Sequence, residues 1–424
     1  MGVSIWEGNK AQGLIDAGNQ IVAGIARQNL LLSQMIPVSE ATPAAELAEI
    51  HRIVQSGEAP SVFSIGDQLM LNYNDGTNDY VLPWDIVHFG NVELQDGETV
   101  PGMYLQSHYA MQAVQFDASE AIYVAQTAMP AGTYYFTIGT DWGSNCHAGD
   151  SWSFTTTVDI PAGGQVVIGK NNDFYTWGAP EQSTSNWRAH TFASASSVTP
   201  LDTNLSLTAG ASGTSLGTVA SNIVYGNSNP NNLQRAAYGY NRWGQSGLRQ
   251  FLNSGAAVGA WWNAQNVFDR PPQQLATMRG FMAGFDEAFL NIIKPVKVTT
   301  ALNTVTDSAI GTSEDTYDTF FPAALEQEYI VPQLANVEGE YWEYWKQRLG
   351  LTSPQITGSS GANAFHVRYG YDTKTASQHV RLRSASSSNA CITWGVTTSG
   401  IAYNSSSYNY AATARRAVPT CVIC

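Results

Sequence analysis

The feature that most constrains this chain is its last stretch, from His379 to Cys424. It carries four Arg and one His but no Asp, Glu or Lys, and its polar positions are almost all Ser, Thr, Asn and Tyr. A solvated tail would be polar throughout. Here Ile392, Trp394 and Val396 alternate inside the polar run, and the chain ends on Val418, Val422 and Ile423. Alternation of that kind is the signature of half-buried strands, so the segment is expected to be anchored in a core. Its polar palette is that of a binding surface: Tyr offers rigid amphipathic area at low entropy cost, while Ser, Gly and Asn offer adaptable hydrogen bonds.

Some residue types are missing. Lys, Gln, Glu, Met and Trp make up 66 of the 424 residues, so these 46 positions would hold about seven; they hold one, Trp394. Those five types cannot be reached from an AAC codon by changing its adenines, which fits a segment rewritten by adenine-directed mutagenesis.

Several stretches in this order resemble the variable proteins of diversity-generating retroelements, in particular the gut-phage branch with a C-type-lectin-like fold. They are Val380-Arg-Leu-Arg-Ser384, Trp394-Gly-Val396, Thr398-Ser-Gly400 and Arg416-Ala-Val-Pro-Thr-Cys-Val-Ile-Cys424. Upstream, Tyr240-Asn-Arg-Trp-Gly-Gln-Ser-Gly-Leu-Arg-Gln-Phe-Leu-Asn253, Gly280-Phe-Met-Ala-Gly-Phe285 and Val296-Lys-Val-Thr-Thr-Ala-Leu-Asn303 extend the likeness. The resemblance implies a fixed scaffold displaying hypervariable side chains to a host-surface protein or glycan. It assigns ligand contact to Ser387, Ser388, Asn389, Cys391, Thr393, Gly395, Thr397, Ile401, Tyr403, Asn404, Ser405, Ser407, Tyr408, Asn409 and Tyr410, over a scaffold of Leu382, Trp394, Val396, Val418 and Val422. It further implies a phage-particle location, contacts with other virion proteins, a homo-oligomer, and no cofactor. A structural tail or head decoration and a bacterial surface lectin are the alternatives.

Composition sets the remaining bounds. The net charge is −14, yet only 13% of residues are charged, so Ser, Thr, Asn, Gln and Gly must cover the surface. An acidic chain is a poor partner for phosphate backbones, which argues against nucleic acid. Nothing approaches eighteen consecutive apolar residues, so no membrane span is expected. The start, Met1-Gly-Val-Ser-Ile-Trp-Glu7, has no signal-peptide pattern, so export by lysis or particle assembly is expected.

Taken in order, residues 1–59 read as a helical assembly segment, with helical spacing from Lys10 to Gln55. Val62–Gly66, Gln68–Tyr73 and Tyr80–His88 read as strands, the last two separated by the turn signal Asn74-Asp-Gly76. Strand signals at short intervals over 105–199 suggest an inserted antiparallel β-sandwich-like module. Residues 193–232 read as a connector, and 245–252 and 273–290 as helices. The expected class is therefore α+β, with a lectin-like domain at 60–104 and 200–424.

Catalysis finds little support. Glu314, Asp315, Asp318, Glu338, Glu340 and Glu343 supply carboxylates of the kind that glycosidases pair, but solvated loop acids are the commoner reading. No EF-hand loop or H-x-x-x-H spacing is present, and no Ser-His-Asp set stands out as a nucleophile site. Formylglycine-generating enzymes share the lectin-like fold and use a nearby cysteine pair; here the only such pair, Cys421 and Cys424, lies in the terminal scaffold and reads as buried thiols. The aromatic clusters Trp261-Trp262 and Tyr341–Trp345 read as core. The chain is accordingly expected to be no enzyme and to hold no metal.

Overall fold

A computed structural model describes residues 40–141, 146–170, 186–219, 232–329, 337–349, 366–404 and 409–424. Strands dominate and helices are few and short, an α+β fold that is mostly sheet.

The central sheet has five strands in the order β1 (Gln68–Asn74), β2 (Asp79–Glu93), β3 (Thr99–Ser107), β22 (Pro419–Ile423) and β15 (Phe321–Pro322). In β1, Leu69, Leu71 and Tyr73 alternate inward. The turn into β2 follows the sequence signal. Gly76 sits at φ +99°, a backbone region that favours glycine, and Asp75 Oδ1 accepts from the Thr77 and Asn78 amides at 2.8 Å each. The end of the chain, β22, is an interior strand, pairing antiparallel with both β3 and β15. Cys421, Val422 and Ile423 are wholly buried there.

A second five-stranded sheet carries the carboxylate-free segment, in the order β20 (Ala402–Tyr403), β19 (Thr393–Val396), β18 (Val380–Ala385), β21 (Arg415–Ala417) and β4 (Ala113–Val114). Two smaller pairs complete this body: β13 (Val296–Ala301) with β14 (Ser313–Asp318), and β16 (Arg368–Tyr369) with β17 (Ser377–Gln378). Their shared core is strongly aromatic, with Trp84, Phe281, Phe285 and Phe320 in contact, the Phe285 and Phe320 rings stacked at 5.3 Å, and Trp243 against Phe116.

The inserted module has a core of its own, built around Phe136, Phe154, Ile160, Val166 and Ile168. One sheet runs β10 (Asp202–Ser206), β9 (Trp187–Phe192), β8 (Gln165–Lys170) and β5 (Tyr123–Val124); the other runs β11 (Thr208–Ala209), β7 (Ser151–Thr156), β6 (Gly132–Ile138) and β12 (Thr214–Val219).

Several sequence expectations are corrected. The module does not occupy 105–199. Leu105 to Ser107 complete β3 and Val114 lies in the main core, whereas 202–219, expected as connector, supplies β10, β11 and β12. Its Ser, Thr and Gly content reads as loop, but exposed edge strands need few apolar residues. Nor is the module purely antiparallel, since β12 pairs parallel with β6. The helical segment is not separate either. Its part beyond residue 39 forms α1 (Ala44–Gln55), whose Leu47, Ile50, Ile53 and Val54 pack into the main core; residues 1–39 lie outside the described residues.

Val62–Gly66 is no strand, because Pro60 opens a helical turn over Ala59–Val62. The helix expected over 273–290 is broken into Gln273–Ala276, Phe281–Gly284 and Glu287–Leu290. Gly280 and Gly284 lie at the breaks, where a Cβ would meet the Ser254 carbonyl and the Tyr73 ring respectively. Among the described residues no helix is long and apolar enough to cross a membrane.

Candidate functional site

The residues assigned to ligand contact lie on three loops of the second sheet. Strands β18 and β19 are joined by 386–392, β19 and β20 by the turn Thr397–Gly400, and the path from β20 to β21 passes through 409–414. Ser388 is exposed, and Ser387, Asn389, Thr397, Ile401, Tyr403, Asn404 and Tyr410 are half-buried. Ser405, Ser407 and Tyr408 lie outside the described residues.

Four assigned positions are interior. Cys391, Thr393 and Asn409 are no more than 4% exposed. The Thr393 hydroxyl is bonded to Arg381, and Asn409 Nδ2 donates to the Tyr403 carbonyl at 3.1 Å. Burial raises the Cys391 thiol far above its ordinary range. Gly395 is buried too, and a Cβ there would lie 2.9 Å from the Val380 carbonyl and 2.8 Å from Asn409 Oδ1. Side chains at these four positions face the protein, so they cannot touch a ligand in this arrangement. Of the expected scaffold, Leu382, Val396, Val418 and Val422 are buried, and Trp394 is half-buried against the main core.

What fixes the loops is a set of donors, all but Thr304 buried, that bind their main-chain carbonyls. Asn241, fully buried, donates Nδ2 to the carbonyls of Asn389 and Ile392 at 2.7 Å each, and its own amide binds Ala390 O at 3.0 Å. Thr304 adds its amide and hydroxyl to Ser387 O, both at 2.9 Å. The buried Tyr329 hydroxyl reaches Gly400 O at 2.9 Å. Arg381 binds the carbonyls of Asn409, Tyr410 and Thr413 at 3.1, 3.0 and 2.8 Å. Every loop is therefore held through atoms that all amino acids share.

The donors are oriented in turn. Asn241 Oδ1 accepts from Asn303 Nδ2 at 2.9 Å, and the same nitrogen donates to Asp307 Oδ2 at 2.8 Å. Asp307 also accepts from the Tyr240 hydroxyl. Burial raises the Asp307 carboxyl, while Tyr240 and Arg235 oppose that rise. Arg381 lies over the Phe116 ring, and burial, with Arg415 nearby, lowers its guanidinium to about 9. It is still a cation at neutral pH. Tyr238, from α2 (Asn232–Tyr238), stacks on Tyr410 with ring centroids 4.0 Å apart and extends the patch beyond the assigned run.

These supporting roles were not assigned from sequence. The available signal was Arg381 alternating with apolar residues in a strand free of carboxylates, a pattern that demands neutral acceptors.

Three of the six carboxylates considered for catalysis, Glu314, Asp318 and Glu338, serve the framework. Glu314 accepts from Arg242 Nε at 2.8 Å and the Gly244 amide at 2.7 Å, and Asp318 from Arg249 at 2.6 Å and Trp243 at 2.8 Å. Glu338 takes the Ala301 amide at 3.1 Å and the Ser384 hydroxyl at 2.5 Å. Among the described residues, no group of three or more His, Cys, Asp or Glu could hold a metal ion. All four cysteines are buried free thiols, and Trp261, Trp262, Trp342 and Trp345 are core.

No curated protein and no solved structure matches the chain. A family profile described as a domain of unknown function (DUF6273) matches residues 218–421, just under half of the chain. That span runs from the last strand of the insert through the donors Asn241, Thr304, Tyr329 and Arg381 to the loops they hold, and it is to this domain of unknown function that the candidate site is similar.

Proposed function

We propose that the chain is a phage receptor-binding protein whose C-type-lectin-like body displays interchangeable side chains to a host-surface ligand. One observation carries the reading: all three loops are clamped through main-chain carbonyls by donors outside the displayed positions. Such a clamp lets Ser387, Ser388, Asn389, Ile401, Tyr403, Asn404 and Tyr410 vary without changing the backbone that presents them, whereas the Thr397 hydroxyl accepts the Ile401 amide at 3.0 Å and helps to shape its own turn. The missing residue types in the same segment support diversification. Tyr403 and Tyr410 are the expected anchors, because aromatic side chains contribute most of the energy in small interfaces. Several copies on one particle would add avidity.

The test is cell binding. Labelled full-length protein is applied to a panel of gut bacterial strains beside a variant carrying S388A, Y403A, N404A and Y410A. We expect at least about a tenfold loss on strains that the parent binds, with an unchanged unfolding midpoint. Equal binding by the variant, or no bound strain, would count against the reading.

A further inference from the structure

We propose that the framework itself binds a small neutral sugar, in a partly open cavity of about 340 Å³ between β2, β3, β13 and residues 337–342. No displayed position lines this cavity, so the inference stands apart from the display reading.

The fold builds its walls from several elements. His88 on β2 and Tyr104 on β3 are directly opposite in the register, so their side chains share one face of the central sheet. Their rings meet edge to face at 5.3 Å, and Trp342 is tilted against Tyr104 at 6.0 Å. Gln327, from the helical turn Leu325–Glu328, closes another side. A Cβ at Gly90 would come within 3.1 Å of His88 Nε2, and one at Gly339, where φ is +118°, within 3.1 Å of Gln327 Nε2. The two glycines therefore keep room beside both groups.

Its uncharged donors are unused by the fold. Gln327 and Trp342 are 7% and 1% exposed, and polar groups so buried are normally bonded. Gln327 does use Oε1, which accepts from the Ala324 amide at 2.9 Å and from Arg383 at 2.7 Å. Among the described residues, Gln327 Nε2, Trp342 Nε1, the Tyr104 hydroxyl and the His88 ring make no hydrogen bond. Nor are these groups sealed from solvent, as the unbonded indoles of Trp84 and Trp345 are. Burial lowers the His88 imidazole, against the opposing pull of Glu340. The ring is therefore neutral at pH 7 and offers one donor and one acceptor.

The charged groups around the cavity are committed to the framework. Arg383 donates to Thr299, Thr300, Pro322, Gln327 and Glu338. Lys297 pairs with Asp315 at 3.1 Å and Glu93 at 3.4 Å, and Glu338 accepts from Ala301 and Ser384. With Glu338 and the exposed Glu340 also in the lining, two cations and two carboxylates balance, so the space favours neither sign. What remains suits a neutral ligand rich in hydroxyls: free donors set around the Tyr104 and Trp342 rings, with His88 and Glu340 to accept hydroxyl protons. The volume equals about eleven waters at about 30 Å³ each, the scale of a mono- or disaccharide, and lies at the lower end of small-molecule sites.

Calorimetric titration of the full chain tests this, with glucose, galactose, N-acetylglucosamine, lactose and cellobiose as neutral probes and glucuronate and galacturonate as acidic ones. Tyr104→Phe and Trp342→Phe each remove a donor that the fold does not use. They are compared with Tyr135→Phe, the same loss on β6 of the insert, and unfolding midpoints check that each variant is folded. We expect at least one neutral sugar to bind in the millimolar range or tighter. That binding should weaken at least about threefold in Tyr104→Phe and in Trp342→Phe, as the loss of one hydrogen bond implies, and stay parental in Tyr135→Phe. No binding by any neutral sugar, tighter binding by an acid than by every neutral sugar, or parental binding in Tyr104→Phe overturns the proposal. If Trp342→Phe fails to fold, Tyr104→Phe alone decides. None of these outcomes depends on cell binding, so the display reading stands or falls separately.

Discussion

At the scale of single residues, the site divides into side chains that the fold needs and side chains that it does not. Asn241 belongs to the first group. Asn241→Ala would leave the half-buried Asn389 carbonyl without its donor and the Ile392 carbonyl with the Ser386 amide alone, so urea unfolding should report a loss of about 1–3 kcal/mol. Gly395→Ala brings a methyl to 2.9 Å from the Val380 carbonyl and should cost about 1–3 kcal/mol by overpacking. Ser388→Tyr, at an exposed position of the 386–392 loop, should change stability by less than about 0.5 kcal/mol. The last contrast matters most, since equal losses at 241, 395 and 388 would remove the distinction between frame and display. The family resemblance grouped Cys391, Thr393, Gly395 and Asn409 with the displayed residues, and a resemblance in sequence does not show which way a side chain points. A Thr or Asn in a polar run looks the same whether it faces solvent or binds Arg381.

At the scale of elements, the end of the chain is a structural keystone. Because β22 lies between β3 and β15, removing residues 419–424 exposes both neighbours and the core beneath them. We expect that truncation to yield no cooperative unfolding transition, whereas a folded, cooperative product would show that the terminal strand is dispensable. Helix α1 is tied to the same core, and Ile50→Ala should cost about 2–5 kcal/mol in chemical unfolding. Much of this was legible. Alternating apolar residues and the turn signal at Asn74-Asp-Gly76 located β1 and β2, and Val418, Val422 and Ile423 marked the buried end. The edge strands β10 to β12 were not legible, because half-exposed strands of Ser, Thr and Gly share their composition with loops. The breaks at Gly280 and Gly284 were hidden by an apolar spacing that imitates a helix.

At the scale of the whole molecule, two cores meet at a buried acidic junction. Asp117, Glu120 and Asp269 surround Arg235, which binds Glu120 at 3.0 Å. Burial raises the carboxyls of Asp117 and Asp269, the latter from 3.8 to about 7. The folded protein therefore holds protons that the unfolded chain releases above about pH 4, so this contribution is full in acid and is lost as pH rises toward 7. Asp269→Asn, which cannot ionise, should lessen that decline in urea midpoints measured between about pH 5 and about pH 8. An unchanged slope would place the ionisation elsewhere.

The central claim is that the loops keep one backbone whatever they display. Its most direct test is the spread of unfolding midpoints across a library randomised at Ser387, Ser388, Asn389, Tyr403, Asn404 and Tyr410. The account expects most members to stay within about 2–4 °C of the parent, the shift that about 1 kcal/mol produces in a domain of this size. Broad destabilisation, with most members failing to fold, would contradict it.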